Sequence, residues 1–248
     1  MSIYKGVGGK MLANIKPLVW EKLIPLKTFL VRHLFAALLQ RWVIDQFHRM
    51  YVAYPERTFA DTNWMGVQII KCPLDLWIYQ EIIHELRPDV IIETGTYAGG
   101  SALFLAHLCD LIGNGRILTI DIEANEKRPH HPRIQYIQGN SIHPITLQQV
   151  QNALHDNETI LVILDSDHEK CHVFDELKLY SPLVSPGSYL IVEDTHVNGH
   201  PVRPEHGPGP MEAVTEFLQC SSRFVVDRSK EKYFLTFNRK GFLKCVSG

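Results

Sequence analysis

The sequence predicts an α/β fold with a Rossmann-like, mostly parallel β-sheet, and three observations support this prediction. Short runs of aliphatic residues alternate with longer segments of helical periodicity. The strand-like runs are apolar on both faces, which is typical of a parallel sheet covered by helices on both sides. The composition, 45% hydrophobic and 21% charged over 248 residues, is that of a globular protein large enough to bury a sizeable core.

The N-terminal part of the chain predicts a helical extension, residues 1–61, ahead of one catalytic domain at residues 62–248. Apolar residues recur every three or four positions from 26 to about 51, as in an amphipathic helix. Arg32 and His33 interrupt its most apolar run, which is shorter than the ~20 residues that a membrane-spanning helix needs. We expect this helix to pack on the domain or on a second subunit rather than on a membrane surface.

Helices and strands alternate through the predicted catalytic domain. Helical periodicity is found at 73–86 and near 144–155 and 169–180. The strand-like runs are 89–95, 116–122, 133–140, 159–167 and 188–196. A further helix follows the Gly-rich turn after the first of these runs. The last segments, FVVD, YFLTFNR and GFLKCV, are strand-like but separated by polar turns. This pattern predicts an antiparallel hairpin added to the edge of the sheet.

Charge and cysteine content restrict the class of partner and the compartment. Lys and Arg number 25 and Asp and Glu number 27, which gives a formal net charge of −2 and no basic surface for nucleic acid. We therefore expect a small-molecule or protein partner. The five cysteines are widely spread without a C-x-x-C pair, and no secretory signal is visible near the start, so we expect a reduced, cytoplasmic location.

A glycine-rich turn, ETGTYAGGS at residues 93–101, predicts a nucleotide-like ligand. Gly95 allows a tight turn after a strand, while Gly99 and Gly100 let the backbone approach a ligand at a helix N-terminus. Asp121 ends the next strand, where a carboxylate can accept hydrogen bonds from both ribose hydroxyls. The simpler alternative is that the glycines serve only the turn itself.

Two cofactor classes fit this turn, a dinucleotide and S-adenosylmethionine. The spacing of its glycines is not the G-x-G-x-x-G of dinucleotide-binding proteins, because Thr96, Tyr97 and Ala98 follow the first glycine. Glu93 would repel a pyrophosphate but suits the cationic amino-acid group of S-adenosylmethionine. The residues therefore favour the sulfonium cofactor, with an NAD-dependent dehydrogenase as the alternative.

Three carboxylates follow two strand-like runs. Asp165 ends one run, and Glu193 with Asp194 ends the next. Left unpaired, such anions would raise one another's pKa. A divalent cation resolves the repulsion, and an all-oxygen set suits Mg²⁺ better than Zn²⁺. Roles as helix caps or in ordinary salt bridges would also explain these carboxylates. Asp167 is a candidate N-cap for the helix that starts near Glu169.

His168 is the candidate base of this group. It lies three residues beyond Asp165, where it could take the proton of a substrate hydroxyl, although an isolated histidine is more often a polar residue with structural partners. The Gly- and Pro-rich segment 196–210 contains three more histidines. Because it follows a strand that ends at the predicted site, it is a candidate substrate loop or lid. A histidine metal site in that segment is the competing interpretation.

Together these motifs resemble one known family. ETGTYAGGS, LTIDIE, QGNS, LDSDHEK, VEDT and NGHPVRPEHGPGPMEAV are similar to those of the cephalosporin hydroxylase and rhamnosyl O-methyltransferase family, which includes macrolide sugar O-methyltransferases. The resemblance covers roughly residues 62–246. It implies a class I S-adenosylmethionine-dependent methyltransferase fold, a bound Mg²⁺ and a homo-oligomer in which N-terminal segments take part. The resemblance does not extend to residues 1–61.

The resemblance also assigns roles to residues. The family's metal triad falls on Asp165, Glu193 and Asp194, and the base of its sugar methyltransferases falls on His168. Asn140 stands where members usually carry an acidic residue. The residues expected to bind the cofactor are Glu93, Gly95, Thr96, Tyr97, Gly99, Ser101, Asp121, Asn140, Ser141 and Asp165.

The sequence thus predicts a Mg²⁺- and S-adenosylmethionine-dependent O-methyltransferase that acts on a hydroxyl of a sugar or glycosylated natural product. One alternative, which the family name suggests, is a component of an oxidative or methoxylating step. The two histidines of a facial iron site are missing from the carboxylate group, which counts against it. Another alternative is a non-catalytic protein that binds the cofactor and acts through a partner, but such a protein would not need a base.

Overall fold

The aliphatic runs form the parallel centre of a seven-stranded sheet. The computed structural model describes residues 15–247, with side chains from residue 34 onwards. In this part of the chain the helices are α1 (Ile15–Ala53), α2 (Pro73–Leu86), α3 (Gly100–Ile112), α4 (Pro144–Asn152), α5 (Lys170–Tyr180) and α6 (Pro210–Cys220). The strands are β1 (Asn63–Trp64), β2 (Val67–Gln68), β3 (Val90–Thr94), β4 (Arg116–Asp121), β5 (Ile134–Gln138), β6 (Ile160–Leu164), β7 (Tyr189–Val192), β8 (Phe224–Val226) and β9 (Phe242–Cys245).

The order of strands in the sheet is β5-β4-β3-β6-β7-β9-β8, and β1 and β2 form a separate hairpin. Strands β3 to β7 pair in parallel, whereas β9 is antiparallel to both of its neighbours, β7 and β8. The predicted α/β sheet with an antiparallel C-terminal edge is confirmed. Strands β4 and β5 lie on one side of β3, and β6 and β7 lie on the other. Such a change in strand order opens a crevice at the carboxyl ends of the two central strands, β3 and β6.

Alternate residues of the central strands pack into two hydrophobic layers, one on each face of the sheet. Ile91 and Ile163 point to the layer that contains α2 and α3, while Ile92 and Val162 point to the layer with buried residues of α4, α5 and α6. All four side chains are fully buried. This two-sided burial explains why the runs read as continuous aliphatic segments.

Two local predictions differ from the structure. The run YFLTFNR was expected to be a strand, but it connects β8 to β9 without strand pairing. Phe234 takes a left-handed φ of +68°, and Phe237 packs in an aromatic cluster with Phe59 instead of joining the sheet. Helix α6 follows the Gly- and Pro-rich segment, where the sequence did not indicate a helix.

The chain divides into two compact units between Phe47 and His48. The helix predicted from residue 26 to about 51 lies within the longer α1. In the first unit, α1 carries exposed apolar side chains, including Leu34, Phe35 and Trp42. None of the helices among the described residues is long and apolar enough to cross a membrane.

Candidate active site

A cavity of about 890 Å³ opens at the carboxyl ends of β3, β4 and β6. The turn after β3 lines one part of it, and Asp165, His168 and Asp194 line another. The structure thus brings the predicted cofactor turn, the predicted base and two of the three predicted metal ligands to one cavity. The volume is in the range of small-molecule sites.

Gly95 brings these two parts together. It has a left-handed φ of +85°, and its backbone N–H donates to the carbonyl of Ile120 at 2.8 Å. A Cβ atom at this position would lie 1.9 Å from the backbone oxygen of Asp165. Only glycine fits here, because the turn after β3 runs directly against the end of β6.

Asp121 holds the cofactor turn from the neighbouring strand. Its Oδ2 accepts hydrogen bonds from the backbone N–H groups of Thr96, at 3.0 Å, and Tyr97, at 2.7 Å. Its Oδ1 accepts from the backbone N–H of Glu123. The predicted ribose contact of Asp121 stays a prediction, and the structure adds a role in fixing the shape of the turn.

Arg128 completes this arrangement and was not identified from the sequence. Its guanidinium lies 2.9 Å from Oδ2 of Asp121 and donates to the carbonyl oxygens of Tyr97 and Glu123 at 2.8 and 3.0 Å. The side chain is 8% exposed. An arginine in a polar loop carries no sequence signal that distinguishes it from a surface residue.

The remaining cofactor candidates lie at different depths. Glu93 is fully buried within β3, where Thr119 donates a hydrogen bond of 2.7 Å to its Oε2. Burial raises the pKa of the Glu93 carboxyl, while Lys71 opposes that shift. Ser101 lies at the cavity wall at the start of α3.

A polar cluster surrounds Ser141 and Asn140 at another part of the cavity wall. Nε2 of His172 lies 3.0 Å from Oγ of Ser141 and 3.2 Å from Oγ of Ser166, which in turn donates to the buried Glu176 at 2.7 Å. Glu176 raises the pKa of His172. The sequence did not single out His172 or Glu176.

The three predicted metal ligands do not form one set. Oxygen atoms of Asp165 and Asp194 and a ring nitrogen of His168 all lie within 4.8 Å of one another, a spacing that suits a metal ion. Glu193 is turned elsewhere. Its Oε1 accepts hydrogen bonds from Lys71 at 2.6 Å and from the hydroxyl of Tyr79 at 2.7 Å.

Lys71 lies between two of the carboxylates and was missed by sequence reasoning. Its Nζ atom is 2.6 Å from Oδ2 of Asp165 and 2.6 Å from Oε1 of Glu193, and the side chain is 3% exposed. Burial disfavours the ammonium, but the two carboxylates outweigh burial and raise the pKa of Lys71. Burial and Asp165 raise the pKa of Glu193 against the opposing effect of Lys71. The distances identify this group as an ion pair with Lys71 charged.

His168 interacts with both metal-site aspartates. Its Nε2 lies 2.8 Å from Oδ2 of Asp194 and 3.6 Å from Oδ1 of Asp165. Burial would lower the pKa of His168, but the neighbouring carboxylates of Asp165 and Asp194 raise it to about 11. The same contact lowers the pKa of Asp194 despite its burial. The two carboxylates therefore favour the protonated form of His168.

The histidines of segment 196–210 have separate partners. His196 is buried, with Nε2 3.4 Å from Oδ1 of Asp194 and Nδ1 2.8 Å from Nε2 of His48. His200 lies 2.7 Å from Oε1 of Glu212. The competing interpretation of a histidine metal site therefore has no support from the geometry of this segment.

Comparison with known proteins assigns the family. Residues 56–246 match the family model described as "Rhamnosyl O-methyltransferase/CmcI". The chain belongs to this family. It is 38% identical over 207 residues to the rhamnosyl O-methyltransferase of Mycobacterium leprae (strain TN), covering 81% of this chain and 90% of that protein. It is 39% identical over 208 residues to the rhamnosyl O-methyltransferase of Mycobacterium tuberculosis (strain ATCC 25618 / H37Rv), covering 81% and 84%.

Solved structures of the Rhamnosyl O-methyltransferase/CmcI family share the fold. The structures described as "CmcI-N160 apo-structure" and "cmcI-D160 Mg-SAM" are 23% and 22% identical to this chain, each with a TM-score of 0.59. Each alignment covers 76% of this chain and 78% of the other. The predicted class I methyltransferase fold and the predicted class of enzyme, an S-adenosylmethionine-dependent O-methyltransferase, are confirmed.

Proposed function

We propose that the protein transfers the methyl group of S-adenosylmethionine to a hydroxyl of a rhamnosyl or related sugar residue, with the help of Mg²⁺. The observation that carries this proposal is the shared cavity, which joins the turn after β3 to the group of Asp165, His168 and Asp194. The names of the relatives, rhamnosyl O-methyltransferases, support a sugar as the acceptor.

The donor set fits a hard divalent cation. Asp165 and Asp194 offer carboxylate oxygens at one rim of the cavity, and Glu193 follows directly in the chain before Asp194. A Mg²⁺ ion bound there would supply Lewis-acid chemistry that favours ionisation of a substrate hydroxyl. The predicted triad of Asp165, Glu193 and Asp194 requires the side chain of Glu193 to turn from Lys71 toward the ion.

The residues of the chain would position and deprotonate the acceptor. His168 lies at the cavity wall, where its Nε2 can accept the proton of the hydroxyl once the imidazole is neutral. The cofactor turn, fixed by Asp121 and Arg128, would hold the methyl donor in line with the attacking oxygen. Much of the rate acceleration would then come from positioning.

The predicted domain division is also part of the proposal. Residues 62–248 would form the catalytic domain, and residues 1–61 would contribute to a homo-oligomer. Exposed Leu34, Leu38 and Trp42 on α1 support a role of this helix in contacts between subunits.

The test is methyl transfer from labelled S-adenosylmethionine to rhamnosyl acceptors, with and without EDTA. Turnover should be lost in EDTA and restored by Mg²⁺. His168→Ala should abolish turnover while the affinity for S-adenosylhomocysteine stays nearly unchanged, and replacement of the exposed His84 of α2 by Ala is the matched control. Turnover that persists in EDTA would refute the metal requirement. Loss of cofactor affinity in His168→Ala would make His168 a structural residue.

A further inference from the structure

Lys71 lies between two of the three carboxylates. Its ammonium bridges Asp165 and Glu193 with two contacts of 2.6 Å. These carboxylates come from two neighbouring strands, β6 and β7, and the lysine comes from a third segment of chain that precedes α2. A buried ammonium is costly unless it is paired and hydrogen-bonded, and here it has two anionic partners.

The positive charges of the group are divided between two sides. Lys71 contacts Oδ2 of Asp165 and Oε1 of Glu193, while His168 faces Oδ1 of Asp165 and Oδ2 of Asp194. The possible metal position lies on the side of His168. Lys71 can therefore keep its contact with Asp165 through one oxygen while the other oxygen is free to bind an ion.

The backbone holds Lys71 in place. The preceding segment crosses the start of α3 so closely that a Cβ atom on Gly100 would lie 2.2 Å from the carbonyl oxygen of Gln68. Ile70 has a left-handed φ of +47°, which is unfavourable for a β-branched residue. Strained residues persist where the surrounding structure or function requires them. The strained backbone conformation of Ile70 thus lies directly next to Lys71 at the wall of the cavity.

We propose that Lys71 is a positioning residue that serves as the permanent counter-ion of the metal site. Its ammonium keeps Asp165 and Glu193 in place when no metal is bound. Because it stays next to a bound divalent cation, it also weakens the binding of that cation and keeps the ion exchangeable. This inference rests on the proposed function, since it concerns the proposed Mg²⁺ site.

The test is calorimetric titration of the full chain with Mg²⁺, combined with thermal unfolding in EDTA and in Mg²⁺. Lys71→Met removes the charge and keeps a similar side-chain length. It should bind Mg²⁺ on the order of tenfold more tightly than the wild type, because a nearby positive charge is lost. Its melting temperature in EDTA should fall, and Mg²⁺ should raise that temperature more than it does in the wild type.

Three further variants separate charge from packing. Lys71→Arg keeps the charge and should bind Mg²⁺ like the wild type. Lys71→Gln removes the charge but keeps a hydrogen-bond donor, and should resemble Lys71→Met. Lys232→Met removes a surface lysine that lies 2.5 Å from Glu81, and should change neither measurement.

Each outcome decides the proposal. Equal or weaker Mg²⁺ binding by folded Lys71→Met and Lys71→Gln would overturn the counter-ion role while leaving the proposed function intact. A wild type that binds no Mg²⁺ would overturn the metal part of the proposed function and this inference with it. Neutral variants that fold in Mg²⁺ but not in EDTA would support it. Neutral variants that fail to fold in both would show a purely structural lysine and overturn it.

Discussion

Nε2 of His48 lies 2.8 Å from Nδ1 of His196, which ties the end of α1 to the segment after β7. Burial lowers the pKa of His48 to about 3 and that of His196 to about 4. Both rings are therefore neutral above these values, and one donates to the other. Nε2 of His196 in turn faces Oδ1 of Asp194 at 3.4 Å. The histidine pair therefore supports Asp194, which contacts the proposed base, His168.

The first prediction is that this pair makes the protein acid-sensitive. A histidine whose pKa is lowered by folding stabilises the folded state above its unfolded pKa of 6.5, and this stability is lost as the pH falls toward about 3. From neutral pH to about pH 5, His48 alone should account for a loss of about 2 kcal/mol in the free energy of unfolding.

Urea unfolding of His48→Gln at several pH values measures this effect. The variant keeps a hydrogen-bond donor but has no group that titrates in this range, so its free energy of unfolding should fall less steeply with acid than that of the wild type. An equally steep fall in the variant would exclude His48 as the source. Replacement of exposed His84 by Gln is the control and should leave the slope unchanged.

The second prediction concerns the contact between Gly95 and Asp165. Gly95→Ala should reduce the free energy of unfolding by about 3 kcal/mol or more, because the new methyl group meets backbone that cannot move easily. Gly66→Ala is a matched control, with the same φ of +85° and no atom within 4 Å of its Cβ position. It should cost only about 1 kcal/mol, for the left-handed conformation itself.

Chemical denaturation of the two alanine variants compares these costs directly. Equal losses would mean that the close approach of β3 and β6 relaxes without difficulty. A difference confirms that the two halves of the cavity are held together by backbone packing.

The third prediction concerns the link between Arg128 and the cofactor turn. Arg128→Met should raise the KM for S-adenosylmethionine by about tenfold and leave kcat nearly unchanged, since Tyr97 in the turn loses its link to Asp121 and Glu123 while the group around His168 is untouched. Steady-state kinetics with varied cofactor measures this. Arg228→Met, which removes an exposed pair with Glu231, is the control. An unchanged KM would show that Asp121 holds the turn alone.

The fourth prediction tests the proposed role of α1 in assembly. Trp42→Glu should dissociate the proposed homo-oligomer, because it places a charge on an exposed apolar surface of the helix. Trp77→Glu on α2 is matched, since the two side chains are 60% and 58% exposed. Sedimentation velocity of both variants measures the mass. A monomeric wild type, or equal behaviour of the two variants, would contradict the proposal.

The sequence alone could predict the strands of the sheet because they are buried on both faces, but it placed several of their ends two to four residues too late. The runs 159–167 and 188–196 continue beyond the last paired residues, Leu164 and Val192. Apolar patterning does not show where hydrogen bonding between strands stops. The unpaired residues that follow are the ones that line the site.

The sequence placed three carboxylates directly after two strands, and these strands are the neighbours β6 and β7, but the sequence did not show which groups each carboxylate meets. Glu193 and Asp194 are neighbours in the chain, and successive side chains at the end of a strand point to opposite sides. Glu193 accordingly faces Lys71 and Tyr79, while Asp194, with a left-handed φ of +53°, faces His168. Alternation gives Glu193 and Asp194 opposite directions, but it does not identify the partners that each one meets.

The missed residues are partners in long-range contacts. Lys71 and Asp165 are 94 positions apart, and His48 and His196 are 148 positions apart. A lysine after an apolar run and a histidine on an amphipathic helix have ordinary explanations in sequence terms. Only the folded chain shows which charged groups each one meets.

The position of β9 has a consequence for the order of events during synthesis. Strand β7 is bordered by β6 and by β9, and the backbone N–H of Val192 donates to the carbonyl of Gly241, just ahead of β9. Asn238 also accepts a hydrogen bond from the backbone N–H of Asp194. When synthesis has reached residue 230, every proposed ligand is already part of the nascent chain. Strand β9, which borders β7 and helps to orient Glu193 and Asp194, has not yet been made. The proposed metal site would therefore be complete only after β9 has been synthesised and paired.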